Sequence, residues 1–207
     1  MPHLRTSVLE EVGGWDPYNV TEDADLGLRL TRFGYRTATI TLPTFEDAPE
    51  TLSDWLPQRT RWLKGWMQTW LVHMRHPVQL VREIGPRSFV IAQILSAGFV
   101  VSAMLHPILL LAGIYLMLEM AFTTPVSGWS VVLLTIDMLN LVCGYTSFLA
   151  LGWQTLPKAQ RRGFWRIVLF TPPYWFLMSA AAWRSLFQIY RRPHHWEKTR
   201  HFRTKVQ

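Results

Sequence analysis

Gly128-Trp129-Ser130-Val131-Val132-Leu133-Leu134-Thr135-Ile136-Asp137-Met138-Leu139-Asn140-Leu141-Val142-Cys143-Gly144-Tyr145 opens an apolar run that continues to Gly152. A helix needs about 20 predominantly apolar residues to cross a bilayer, and residues 128–152 meet that requirement. Two more apolar stretches flank the run. Residues 88–120 are interrupted by His106-Pro107, and residues 164–190 contain Pro172-Pro173. The first is too long for one straight span. Positive charge collects outside these stretches: Lys158, Arg161 and Arg162 follow the central run, and residues 191–205 are rich in Lys and Arg. Both places read as cytoplasmic margins. They cannot both be cytoplasmic if the third stretch crosses once, so a re-entrant or interfacial element is expected at the double proline. Three to four crossings are predicted in residues 88–190.

The front of the chain differs in composition. Of 14 acidic residues in the sequence, only Glu119, Asp137 and Glu197 lie beyond residue 87. The net charge of +7 therefore belongs to the membrane-like part and its tail, which points to a membrane margin and not to nucleic acid. One cysteine, Cys143, excludes an internal disulfide framework and a multi-cysteine zinc site. Met1 to Trp15 has no apolar core of signal-peptide type.

Within the front, residues 1–20 read as irregular or short structure, broken at Gly13-Gly14 and Asp16-Pro17. Thr21 is placed to cap a helix over 22–33, with Glu22, Asp23 and Asp25 in its first turn. Leu26, Leu30 and Phe33 form its apolar face, and Gly34 ends it. Tyr35–Thr41 alternates like a strand, and Pro43–Pro49 reads as a loop. Leu52–Met74 is a tryptophan-rich helical stretch with Pro57 near its start. On that helix Gln58, Arg61 and Trp62 share one face at i, i+3 and i+4, whereas Arg59 points elsewhere. His73 and His76 have a spacing that can bind metal, but no third ligand is evident and a surface position is expected for both.

Thr21-Glu22-Asp23, then Gln58-Arg59-Thr60-Arg61-Trp62, then apolar segments: in this order the motifs closely resemble processive, membrane-bound glycosyltransferases of family 2, the group containing cellulose and hyaluronan synthases. Gly13-Gly14-Trp15 before the triplet and Phe45-Glu46-Asp47-Ala48-Pro49 between the motifs fit the resemblance, as does Trp196-Glu197-Lys198-Thr199-Arg200-His201 near the end. The resemblance implies a mainly α membrane protein: the C-terminal part of a GT-A (α/β) catalytic domain with an interfacial helix (1–87), a transmembrane bundle (88–190) and a basic cytoplasmic tail (191–207). It implies Asp23 as the general base of an inverting sugar transfer. Glu22, Gln58, Arg61 and Trp62 would bind substrate, with Arg61 and Gln58 near the donor diphosphate and Trp62 stacked on the glycan acceptor. Such an enzyme sits in the inner (plasma) membrane with its catalytic part cytoplasmic.

The same resemblance implies a divalent metal, Mg²⁺ or Mn²⁺, held mainly by an N-terminal nucleotide-binding half that these residues do not include. Asp23-Ala24-Asp25 is an Asp-x-Asp sequence, yet it opens a helix, so Asp25 is read as supporting structure and no metal is assigned here. These 207 residues alone are expected to be inactive, and a separate N-terminal half is a possible partner. Two other classes are consistent with the sequence: a non-catalytic membrane transport or interaction subunit, and an inactive remnant. Asp137 and Asn140, one turn apart in the central run, are expected to make a helix–helix hydrogen bond, with Arg184 as a counter-charge, or to line a path for a growing glycan.

Overall fold

The computed structural model describes residues 3–38, 48–122, 127–195 and Glu197. The described elements are helical: α1 (Thr6–Glu11), α2 (Glu22–Arg32), α3 (Leu52–His73), α4 (Pro77–Gln93), a π-helical turn (Ile94–Gly98), α5 (Phe99–Phe122), α6 (Gly128–Thr155), a 3₁₀ turn (Lys158–Gly163) and α7 (Phe164–Arg191). No strand occurs among the described residues. Of the expected strand, residues 35–38 carry no regular structure and 39–41 lie outside the described set, as do 45–47 of the acidic-alanine-proline loop. The chain divides into two compact units. One comprises Met1–Ser102 with Ala180–Gln207, the other Ala103–Ser179.

In the first unit, α1 and α2 end in the same way. Gly13 and Gly34 take φ of +88° and +81°, a region that glycine enters without steric penalty. The N–H of Gly34 donates to Thr31 O at 3.0 Å and that of Tyr35 to Leu30 O at 2.9 Å. Gly13 and Gly14 repeat the pattern on Glu10 and Leu9. Both stops are Schellman motifs, which satisfy carbonyls that a helix end otherwise orphans. The second turns Tyr35 back onto a small core of Val12, Leu26 and Leu30, joined by Leu4, Val8 and Leu9.

The start of α2 departs from expectation. Thr21 is the N-cap residue, but its side chain makes no capping bond. The hydroxyl instead faces Asn19 Oδ1 at 3.5 Å, and the side chain lies against α3 at Gly65, where a Cβ would come within 1.9 Å of Thr21 Oγ1. Close approach of the two helices has replaced the cap. At the start of α3 Thr51 does cap: its Oγ1 accepts from Asp54 N at 3.3 Å and donates to Asp54 Oδ2 at 2.6 Å.

The second unit gathers α5, α6 and the front of α7 around Trp175. His106, Tyr145 and Phe148 meet its ring edge-on, with centroids 5.2, 5.8 and 6.0 Å away. The double proline does not break α7, contrary to expectation. Pro172 cannot donate to Val168 O, the carbonyl one helical turn back. That carbonyl accepts the Tyr145 hydroxyl instead, so one of the two carbonyls that the prolines leave without a helical donor is satisfied. Two helical stretches, Pro77–Phe122 and Gly128–Thr155, are long and apolar enough to cross a membrane, and their most apolar windows are only 11% and 6% buried. The core helix of a soluble protein is mostly buried, and these are not. The first stretch is interrupted at Gly85, whose φ of +79° leaves the helical region just before Pro86.

Candidate functional site

The loop ahead of α2 is fastened to α3 by its polar groups. Asn19 Nδ2 donates to Thr69 Oγ1 at 2.9 Å, and Asn19 Oδ1 accepts from Thr21 N at 3.0 Å. Val20 N donates to Gln68 Oε1 at 3.3 Å. This fastening carries the first turn of α2 onto the middle of α3, so two motifs far apart in sequence meet. Arg61 Nη1 donates to Val20 O at 3.4 Å. Burial lowers the Arg61 guanidinium from its ordinary value, while the carboxylates of Glu22 and Asp23 pull it back up. Of the expected site residues, Glu22, Asp23 and Arg61 thus form one electrostatic cluster.

Asp23 is exposed at the helix N-terminus and accepts the N–H of Ala24 at 2.9 Å. It stands at the edge of a cleft of about 440 Å³, walled mainly by apolar side chains of α2, α3 and α4, including Leu28, Trp66, Trp70 and Ile84. Gln58 lies one turn before Arg61, and its buried Oε1 has no hydrogen-bond partner among the described residues. Trp62 is 38% exposed and carries the Arg59 guanidinium over its ring at 4.3 Å. Arg59 therefore does not point away from Trp62, because positions three apart on a helix are neighbours as well as those four apart.

Asp25, two residues on, has a different fate. Its side chain is 4% exposed. Oδ2 accepts from Arg29 Nε at 2.7 Å and Oδ1 pairs with His73 Nε2 at 2.9 Å. Arg32 Nη1 lies 3.0 Å from His73 Nδ1. A guanidinium only donates, so Nδ1 accepts and Nε2 carries the proton toward Asp25. Arg29 reaches on to the carbonyls of Val12 and Gly14 at 2.7 and 2.8 Å, and Arg32 to Glu83 Oε2 at 2.6 Å. His73 is consequently buried in a network joining α2, α3 and α4, which corrects its expected surface position. Burial raises the Asp25 carboxyl, but the His73 hydrogen bond and the Arg29 charge together outweigh it, leaving it below its ordinary value. With both oxygens engaged, Asp25 is not a free metal ligand. Among the described residues no group of three His, Cys, Asp or Glu could hold a metal ion, so these side chains do not fit a divalent cation.

Arg184, expected as a counter-charge to Asp137, is engaged by Glu197 through two bonds of 2.7 Å. Asp137 is buried, neither of its oxygens has a hydrogen-bond partner among the described residues, and a Cβ at Gly113 would come within 2.5 Å of Oδ2.

Sequence reasoning missed the polar side of α3: Thr60, Lys64, Thr69 and His73 are all buried. A repeat of polar residues at four- to five-residue intervals through a tryptophan-rich helix was the available signal.

A family model described as "Glycosyl transferase family group 2" matches residues 3–193. The chain belongs to that family. Among the curated proteins it is similar to are a probable glycosyltransferase, YdaM, from Bacillus subtilis (strain 168), and two UDP-forming cellulose synthase catalytic subunits. YdaM is 40% identical over 63 residues, 30% of this chain and 15% of the relative. The subunit from Xanthomonas axonopodis pv. citri is 46% identical over 66 residues, 31% of this chain and 9% of the relative. That from Komagataeibacter xylinus is 40% identical over 70 residues, 33% of this chain and 9% of the relative. The matched part of this chain thus spans only a small fraction of each relative's length. No solved structure matches.

Proposed function

We propose that this chain supplies the acceptor side of a membrane-bound, inverting glycosyltransferase. Asp23 takes the proton from an acceptor hydroxyl as that oxygen attacks the anomeric carbon of a nucleotide sugar, and the nucleotide diphosphate leaves from the opposite face. Arg61, with the charges of Glu22 and Asp23 acting on it, faces the developing charge of the diphosphate, where a planar guanidinium suits two phosphate oxygens. Trp62, held by Arg59, stacks on the acceptor sugar.

The observation that carries this reading is the convergence of Asp23 and Arg61 at one turn of α3, from motifs that neither composition nor local pattern requires to meet. Residues 1–87 contribute the catalytic part, 88–190 the membrane region and 191–207 a basic tail at the cytoplasmic face of the inner membrane. The nucleotide-binding half, with the Mg²⁺ or Mn²⁺ that the family resemblance implies, belongs to residues outside this chain, and no step above passes through the metal.

The test is sugar transfer by the whole native protein in membrane vesicles, from radiolabelled nucleotide sugars. Asp23→Asn is expected to lower turnover at least about 100-fold with unchanged membrane insertion. Undiminished transfer would remove Asp23 from the chemistry. No transfer by the wild type with any nucleotide sugar would leave a non-catalytic membrane subunit.

A further inference from the structure

The segment after α7 takes no part in the chemistry above, yet α3 grips it. Lys64 is fully buried, and its Nζ donates to the carbonyls of His195 at 2.6 Å and Arg192 at 3.4 Å. One turn further on, Gln68 Nε2 donates to Pro193 O at 2.8 Å. His194 Nδ1 lies 3.2 Å from Tyr18 O, and Glu197 is held by Arg184 and, at 2.8 Å, by Gln188. The bonds from Lys64 and Gln68 end on backbone carbonyls and fix the path of the segment, whereas His194 and Glu197 are held through their side chains.

Gln68 joins the two halves of this arrangement. Its Oε1 accepts from Val20 N, directly before Thr21-Glu22-Asp23, while its Nε2 holds Pro193. The orientation of the amide is determined, because an N–H can only donate and a carbonyl can only accept. Moving the tail therefore pulls on the group that fixes the Asp23 turn.

We infer that residues 192–195 and Glu197 form a latch on the first unit, and that Gln68 and Lys64 are positioning residues setting the Asp23 turn against Arg61. The functional half of this inference rests on the reading of Asp23 as the base. The latch itself does not.

The experiment combines hydrogen exchange with kinetics on the whole native protein in vesicles, comparing Gln68→Leu with Gln68→Glu. Gln68→Leu removes both bonds. Exchange is expected to quicken in peptides covering 16–23 and 186–195, and kcat to fall about tenfold while the KM for nucleotide sugar stays within about twofold. Gln68→Glu keeps the acceptor for Val20 but loses the donor to Pro193. Exchange should then quicken in 186–195 alone, with a fall in kcat of about threefold. Unchanged exchange in 186–195 in either variant overturns the latch, and Gln68→Glu still decides this if Gln68→Leu does not fold. A raised KM with intact kcat overturns the positioning role. If the wild type transfers no sugar but exchange responds as described, the latch stands and the role given to Asp23 falls.

Discussion

Asp23 and Asp25 lie two positions apart on one helix and do opposite things. Asp23 looks out at a cleft, whereas Asp25 is closed in by Arg29 and His73. Replacing Asp25 with Leu leaves a buried His73 and a half-buried Arg29 facing an apolar group, and breaking a buried pair in this way costs about 3–5 kcal/mol. A clear drop in the unfolding midpoint of the purified protein is the expected result. The sign of the pH effect follows from the direction of the shift. The carboxyl is lowered from 3.8, so the stability it contributes is complete above that value and is lost as pH falls through the lower folded value. Midpoints of wild type and Asp25→Leu measured from pH 7 down to pH 2 should therefore converge only at the acid end. A constant gap across that range would show that the carboxylate's charge is not what stabilises the network. The two aspartates were distinguishable in sequence only through family motifs. The partner that buries Asp25 lies 48 positions away, and nothing local announces it.

The helices repeat this lesson at their own scale. The extent of α2 was legible because its signals are local: acidic residues at one end, arginines at the other, and a glycine stop. The missing cap was not legible, since Thr21 is diverted by Gly65 on another helix. The persistence of α7 through Pro172-Pro173 was hidden for the same reason, because the compensating hydroxyl comes from Tyr145 on α6. In an apolar setting a carbonyl without that donor is left unsatisfied. Tyr145→Phe is accordingly expected to destabilise the protein by about 1–3 kcal/mol, read from denaturant unfolding in detergent. An unchanged midpoint would mean that the carbonyl finds another donor and that the proline tolerance has a different origin. The polar buried side of α3 eluded periodicity because its partners include backbone carbonyls, which every sequence supplies at every position.

For the molecule as a whole, the proposed membrane role makes a bilayer around the apolar and little-buried α5 and α6 an expectation to be tested. Cys143 lies near the middle of α6 and is exposed, so it tests that environment directly. In sealed vesicles a charged, impermeant maleimide should leave the Cys143 peptide unmodified from either side, and label it once the membrane is dissolved and the chain unfolded. Rapid labelling in intact vesicles would place α6 in water. The division into units also bears on how the protein is made. The ribosome delivers residues 1–102 first, then all of 103–179, and only afterwards the segment that Lys64 and Gln68 grip, 125 to 131 positions later. At a synthesis rate of about 5–20 residues per second, the wait is roughly 6–25 s. Throughout that interval the ammonium of Lys64 lacks the carbonyls that later enclose it, and the amide of Gln68 has one hand empty. A nascent chain can therefore build its front helices early but cannot finish them. A messenger cut short after α6 would yield a polypeptide with Asp23, Arg61, Lys64 and Gln68 but without the segment that the last two grip.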